Sequence, residues 1–203
     1  SNTELGKDYF VAGPSGTGYI YPENFKNLEL YTEQLNTYMQ KSDLNIVNII
    51  GNNFDDYYLY SFLEKPNINA LFYYDFSKYS KHDGSIRFLN NKPIISARFN
   101  LWGGFNSSKT LSNKINNLPK NPYLESGYSL IPVHNWSNSV DSILLCSELF
   151  NENVRVVSPD KFVNLIKQNL ITNKNNEIPF VSYPKPTESL FNIEFWEETK
   201  NIL

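Results

Sequence analysis

The sequence predicts an α/β protein with a mostly parallel sheet of about six strands and flanking helices, built as an open sheet or an incomplete (β/α) barrel. Two observations favour this fold class. Short β-branched or apolar runs alternate along the chain with segments in which apolar residues recur at helical spacing. These runs are too few for a closed barrel of about eight strands.

Composition excludes several classes of function. The 203 residues are enough for one domain with a large core. The formal net charge is −3 and no basic stripe is visible, which argues against nucleic-acid binding. No apolar run is long enough to span a membrane. One cysteine and two histidines offer no set of ligands with metal-site spacing, so neither a metal nor another cofactor is expected.

The first half of the chain predicts alternating strands and helices. The β-branched run that ends at Gly51 indicates a buried strand, and Asp55 or Asp56 can cap the helix that follows it. In chain order, the elements are a strand over 9–12, a helix over 28–41, a strand over 45–50, a helix over 55–63 and a strand over 68–74.

The second half opens with an excursion over 79–91, in which Asp83-Gly84 and Asn90-Asn91 are turn pairs that indicate a short hairpin. Pro132 favours an edge or a bulge in its strand. Cys146 lies in an apolar helical run and is expected to be a buried thiol. The predicted strands cover 93–99, 128–133 and 154–157, and the predicted helices cover 107–118, 139–150 and 158–170.

We expect two regions in the chain. Residues 1–178 form the α/β domain. Residues 179–203 form a tail that contains prolines, in which 183–186 indicates a linker and 190–196 alternates as an appended strand would.

The loop over 13–22 is the first of several predicted strand-end loops. Its glycines and prolines indicate a shaped backbone, and Ser15, Tyr19 and Tyr21 give it hydroxyls and flat faces. No lysine follows the glycines and no helix begins at once, so a phosphate-binding loop is not supported.

In parallel α/β folds, ligands bind outside the carboxyl ends of the strands. The residues that follow each predicted strand therefore form a candidate site, and their mixture of aromatic, cationic and carboxylate groups suits a sugar. We take three of them as catalytic candidates: Asp75, Arg98 and His134. The substrate-binding candidates are Ser15, Tyr19, Tyr21, Trp102, Asn135 and Trp136.

Each candidate also has a structural alternative. The carboxylates near helix starts can act only as caps, as can Ser158. Trp102 and Trp136 can be packing residues. Arg98 can pair with Asp75, which would lower the pKa of that carboxylate.

The segment Gly16-Thr17-Gly18-Tyr19-Ile20-Tyr21-Pro22 fits every fixed position of the pattern that names the GxGYxYP putative glycoside hydrolase family, which the chain resembles. Stretches 92–102, 133–137 and 156–163 support the resemblance. It implies a bacterial carbohydrate-processing protein that is secreted or on the cell surface, although no signal peptide is visible. It also implies a separate N-terminal domain as a partner.

Three functions stay open, and two of them concern glycans. Hydrolysis of an extracellular glycan needs two carboxylates flanking the scissile bond. Asp75 is the first candidate, and Asp55, Asp56 or Asp160 is the second. A non-catalytic glycan-binding domain would use the same aromatic residues.

The third function is a deacetylase-like hydrolase. In this alternative His134 is the general base, Arg98 stabilises an oxyanion and Ser15 is the nucleophile.

Overall fold

The structure is a computed structural model that describes residues 9–171, 180–184 and 191–195. Its centre is a four-stranded open sheet with the strand order β1-β2-β4-β3. The first, second and fourth strands run parallel, and β3 pairs antiparallel with β4. The strands are β1 (Ile46–Gly51), β2 (Ala70–Asp75), β3 (Ile86–Leu89) and β4 (Lys92–Ser96).

Five α-helices flank this sheet in the described part of the chain. Most begin where the sequence predicts, because a polar side chain at each start accepts a hydrogen bond from a first-turn amide. The capping residues are Asn27, Asp55, Ser107, Ser139 and Ser158. The helices are α1 (Leu28–Ser42), α2 (Asp56–Leu63), α3 (Ser108–Asn116), α4 (Val140–Glu148) and α5 (Pro159–Ile166).

Helices cover both faces of the sheet, and successive strand residues point to opposite faces, so apolar strand residues are buried on each side. Val47 and Ile49 pack with α1 and α2 on one face. Ile46 packs with α5 on the other face, where Val163 and Ile166 are buried. A third and smaller cluster joins α3 to α4 through Leu101, Leu111, Ile115 and Cys146.

Helix α4 differs from the sequence expectation. The apolar positions of the predicted helix over 139–150 would be expected to be buried, yet Val140, Ile143, Leu144 and Leu149 are all exposed. Cys146 is the buried residue of this helix, as expected for a structural thiol, and burial raises the pKa of its thiol.

The prediction of about six mostly parallel strands is not confirmed. The predicted first and fifth strands are reduced to isolated parallel bridges: Ala12 pairs with Val47 in the first, and Leu130 with Ala97 and Val133 with Leu101 in the fifth. Pro14 follows the first bridge, and Pro132 has no amide to donate within the fifth segment. Residues 154–157 form no strand, and Val156 is 72% exposed.

In the tail, β5 (Phe180–Pro184) and β6 (Phe191–Phe195) form a separate antiparallel pair. Part of the predicted linker over 183–186 therefore lies in β5, and β6 lies inside the predicted strand over 190–196. The proposed domain boundary at 178/179 falls outside the described residues. None of the described helices has the length and apolarity needed to cross a membrane.

Candidate functional site at the strand ends

The loop over 13–22 is anchored at the carboxyl end of β1 through Ser15. The Ser15 amide donates to the Asn48 carbonyl at 2.5 Å, and the Ser15 hydroxyl accepts the Ile50 amide at 3.4 Å. The Tyr31 hydroxyl donates to the Ser15 carbonyl at 2.6 Å. Ser15 is fully buried. Its hydroxyl therefore holds the loop in place and does not reach the surface where a substrate would bind.

The loop presents two of the predicted tyrosines to an aromatic surface. The Tyr19 and Tyr21 rings meet edge to face with their centroids 6.0 Å apart, and Phe76 meets Tyr21 in the same way at 5.3 Å. Partial burial, followed by the neighbouring Tyr19 hydroxyl, raises the pKa of Tyr21 to about 12. Phe76, which contacts Tyr21, belongs to the same loop after β2 as Tyr79.

Tyr79 continues the aromatic surface towards the end of β4. Its ring lies 4.8 Å from Trp102, and Trp102 stacks on His134 at 3.9 Å with the ring planes 3° apart. Trp136 follows at 6.3 Å from His134. Phe105 meets Trp102 edge to face at 6.1 Å. We call this set the aromatic strip; its members are Phe76, Tyr21, Tyr19, Tyr79, Trp102, Phe105, His134 and Trp136.

Much of the aromatic strip faces solvent. Trp136 is 94% exposed, Phe105 is 73% exposed and Tyr19 is 62% exposed. Large apolar groups that are contiguous and exposed mark binding sites in soluble proteins. The structure thus brings together five of the predicted residues: Tyr19, Tyr21, Trp102, His134 and Trp136.

His134 is held by its loop and not by a carboxylate. Its Nδ1 lies 2.8 Å from the Ser137 hydroxyl oxygen, which also accepts the Gly103 amide at 2.9 Å. Ser137 thereby joins the loop after β4 to the loop that carries His134. Asn135 is exposed beside it.

Among the described contacts, Arg98 touches neither Asp75 nor His134. Its guanidinium donates to the carbonyls of Tyr128 at 2.9 Å, Gly84 at 3.1 Å and Glu125 at 3.0 Å. The suggested pairing of Arg98 with Asp75 is therefore wrong, because these three carbonyls occupy the guanidinium. Arg98 ties the 83–84 turn to the segment that precedes Leu130.

Asp75 ends β2 and is fully buried. One oxygen, Oδ1, accepts from the Ser77 amide at 3.0 Å, the Ser77 hydroxyl at 2.5 Å and the Lys78 amide at 3.2 Å. The other oxygen, Oδ2, lies 3.4 Å from the Lys81 ammonium and 3.6 Å from His82 Nε2. Burial alone would raise the pKa of Asp75, but these hydrogen bonds and the Lys81 charge hold it below its usual value.

His82 is a site residue that the sequence reasoning missed. Its ring lies 4.6 Å from Phe54 and 5.6 Å from Tyr73. Burial lowers the pKa of His82 although Asp75 opposes the shift, so the ring is neutral near pH 7. The turn pair Asp83-Gly84, which follows His82 directly, was the sequence signal that this histidine sits beside an ordered turn.

Glu23 is a second missed residue, although it follows the Tyr21-Pro22 pair of the motif directly. Glu23 Oε1 accepts the Asn52 amide at 2.8 Å, and Oε2 is buried. A Cβ built on Gly51 would lie 3.0 Å from the Tyr58 hydroxyl, 3.1 Å from Glu23 Oε2 and 3.2 Å from the Tyr73 hydroxyl. Three oxygens therefore converge on the space left by the missing side chain of Gly51.

Glu23 and Asp75 lie on the same side of the strand ends. Gly51 and Asp75 are register partners on neighbouring strands, so Glu23, which lies beside Gly51, is at the same end of the sheet as Asp75. Burial raises the pKa of Tyr73 to about 12, and both carboxylate charges add to the shift. Both carboxylates therefore act on the pKa of the Tyr73 hydroxyl.

The other candidate carboxylates serve local structure. Asp55 caps α2 by accepting the Tyr57 amide at 2.9 Å, and Asp56 pairs with Arg87 at 2.9 Å. Asp160 lies in the first turn of α5, which Ser158 caps. In the part of the chain that the structure describes, no group of three or more potential ligands is arranged to hold a metal ion.

These features define an α/β protein with a candidate ligand site at the carboxyl ends of its parallel strands. The family model described as GxGYxYP putative glycoside hydrolase C-terminal domain matches residues 1–167, so the chain belongs to this family. The resemblance carried by the loop motif is thereby confirmed.

A solved structure supports the same relationship. The chain is similar to the crystal structure of a putative hydrolase from Bacteroides thetaiotaomicron VPI-5482, with 40% sequence identity and a TM-score of 0.77. The similarity covers 83% of this chain and 35% of that chain, so the chain spans little more than a third of that protein. The search of curated proteins gave no match.

Proposed function

We propose that the chain binds an extracellular glycan along the aromatic strip and contributes carboxylates to its hydrolysis. The observation that carries the proposal is the strip itself, a run of exposed rings at the strand ends. Tyr and Trp rings combine a broad apolar face with a polar edge, which suits the faces and hydroxyls of a sugar ring. The hydrolase label of the family and the similarity to a hydrolase structure support the choice of reaction class.

Glu23 and Asp75 are the carboxylates that we propose for the reaction. Asp75 is ionised because its pKa is lowered, so it suits the role of base or charge stabiliser. Glu23 is the proposed acid, because it directly follows the motif loop at the Tyr21 end of the aromatic strip. Glycosidases that invert configuration hold their two carboxylates about 6.5–9.5 Å apart, and we propose that Glu23 and Asp75 act as such a pair.

A non-catalytic glycan-binding domain is the second candidate function, and one observation favours it. Asp75 is fully buried and its Oδ1 is occupied by the Ser77 turn, so a water molecule reaches this carboxylate only if the turn moves. The deacetylase-like alternative has less support. Ser15 is buried, Arg98 is occupied by carbonyls, and His134 contacts neither residue among the described contacts.

Binding is tested by calorimetry of the purified chain against a panel of soluble polysaccharides. We expect Trp136→Ala to weaken binding by about tenfold or more, because stacking on an exposed ring contributes on the order of 1 kcal/mol or more. Tyr38→Ala is the matched control, since Tyr38 is an exposed aromatic residue on α1. Equal binding by the wild type and Trp136→Ala would contradict the proposal.

Release of reducing sugar from the bound polysaccharide separates the two candidate functions. Hydrolysis that is lost in Glu23→Gln and in Asp75→Asn, with binding retained, supports the enzyme. Binding without any release by the wild type supports the glycan-binding domain. The extracellular location rests on family resemblance, and fractionation of the producing cells tests it.

The longer relative suggests a second experiment, in which the chain is joined to a further domain. Because this chain spans about a third of that protein, we propose that a further domain completes the substrate cleft in the longer members. Covalent joining of such a domain should then raise hydrolysis more than it raises binding.

A further inference from the structure

A cavity of about 580 Å³ lies on the α5 side of the sheet, far along the chain from the motif loop. Its lining is mostly apolar and includes Leu118, Tyr128, Leu130, Val156 and Phe162. We call this cavity the α5 groove. None of the aromatic strip residues lines it, so the glycan proposal leaves it unexplained.

The α5 groove lies between the two segments that were predicted as strands five and six. Leu130 pairs with Ala97 on one side of the first segment. In the second segment, the amides of Arg155, Val156 and Val157 have no backbone acceptor among the described residues. Segments with unpaired backbone groups and apolar side chains offer a surface on which another strand can be added.

The β5–β6 pair is a segment of the same chain that requires such a surface. A two-stranded hairpin is marginally stable alone and gains stability by packing one apolar face. In the observed register Phe180 lies opposite Phe195, Ser182 opposite Ile193 and Pro184 opposite Phe191. Opposed residues share a face, so one face of the pair is predominantly apolar.

Chain length allows the β5–β6 pair to reach the α5 groove. Asn169 lines the groove, and the described part of the domain ends two residues later at Ile171. The eight residues 172–179 connect Ile171 to β5, and a chain of this length spans up to roughly 27 Å when extended. The family match ends at residue 167, before the tail begins.

Charge supports the same placement. Residues 172–203, which comprise the connecting segment and the tail, contain five glutamates and three lysines and are therefore acidic overall. Lys120 and Arg155 are the charged residues that line the α5 groove. Opposite charges at the border of an apolar contact favour the correct orientation.

We propose that the β5–β6 pair docks into the α5 groove of its own chain and extends the protein beside residues 154–157. The docked pair covers Val156 and the neighbouring apolar side chains. This inference is independent of the glycan site, since the two surfaces share no residue.

Photo-crosslinking of the full chain tests the proposal. A benzophenone amino acid at Val156 should crosslink within a monomer to a peptide from 180–195. The same group at Tyr38 on α1 is the control and should give no such product. Crosslinks from Val156 to a second copy, to another part of the chain, or to nothing would each overturn the proposal.

Matched substitutions in β6 supply a second measurement. Ile193→Ser changes the apolar face, whereas Asn192→Ser changes the opposite face of the same strand. We expect Ile193→Ser to reduce the Val156 crosslink by at least about fivefold and to speed hydrogen exchange of amides 154–157 by about tenfold or more. Exchange at 154–157 that is the same in both variants and the wild type would contradict docking.

Discussion

At the residue scale, Asp75 has a structural role in the turn after β2 and is also a candidate for the proposed reaction. Its Oδ1 organises the turn that follows β2, while Oδ2 lies near Lys81 and His82. The same buried carboxylate therefore stabilises the turn through one oxygen and faces Lys81 and His82 through the other. Changing Asp75 alters the loop as well as any reaction, and so a stability measurement is needed beside an activity measurement.

The lowered pKa of Asp75 predicts how stability depends on pH. A carboxylate whose pKa is lower in the folded state stabilises the fold fully at pH values above its ordinary pKa of 3.8, and this contribution is lost as the pH falls through the folded-state pKa. Asn cannot ionise. We therefore expect Asp75→Asn to cost about 1–3 kcal/mol above pH 5, and the difference from the wild type to narrow below pH 3.8.

Urea unfolding of both proteins between pH 2.5 and pH 7 measures this difference. Asp83→Asn is a suitable control, because Asp83 is an exposed aspartate in the same excursion. A constant gap between Asp75→Asn and the wild type across the whole pH range would show that ionisation of Asp75 contributes nothing to stability.

Several site residues could be predicted from the sequence because they directly follow strands. Trp102, His134 and Trp136 were found in this way, and the strip does unite them. Glu23 and His82 were missed because their neighbours come from distant loops: Glu23 meets Gly51, and His82 meets Asp75. Short-range spacing in the sequence does not encode such loop folding.

At the element scale, the β3–β4 hairpin depends on its two turn residues. Asn90 has a φ of 51° and Asn91 a φ of 59°, so both occupy the left-handed region. Asparagine tolerates this region better than most residues, and glycine tolerates it best. Asn90 and Asn91 therefore form the tight turn that joins β3 to β4, the one antiparallel pair in the four-stranded sheet.

Glycine and alanine at position 91 should change the stability of the protein in opposite directions. We expect Asn91→Gly to stabilise the protein by a few tenths to about 1 kcal/mol, and Asn91→Ala to destabilise it by about 1 kcal/mol, because alanine pays the steric cost of a positive φ. Thermal unfolding followed by circular dichroism measures both. If Asn91→Ala melts at the wild-type temperature, the left-handed turn is not populated.

The helices and the central strands could be predicted because their signals are local. Asp55 and Ser107 cap helices as expected, and β1 ends at Gly51. The fifth and sixth strands could not be judged locally, since a strand forms only where a neighbour supplies backbone partners. The fifth segment finds such partners only at Leu130 and Val133, and the 154–157 segment pairs with no strand among the described residues.

At the scale of the whole molecule, apolar contacts are distributed unevenly. Both faces of the sheet hold extensive clusters with α1, α2 and α5. The unit formed by α3 and α4 is smaller, and several apolar residues of α4 remain exposed. Regions that bury few apolar groups open at lower free energy than the core does. The longer relative supplies further residues outside the part that this chain matches.

This distribution predicts the order in which the protein opens. We expect the amides of α4 to exchange with solvent on the order of 100-fold faster than those of β2 under native conditions, because opening α4 exposes little buried apolar surface. Hydrogen exchange with mass spectrometry measures both in one sample. The amides of α2 serve as the internal control, since Leu59, Phe62 and Leu63 are fully buried in that helix. Equal protection of α4 and β2 would mean that the α3–α4 unit and the sheet unfold as one cooperative unit.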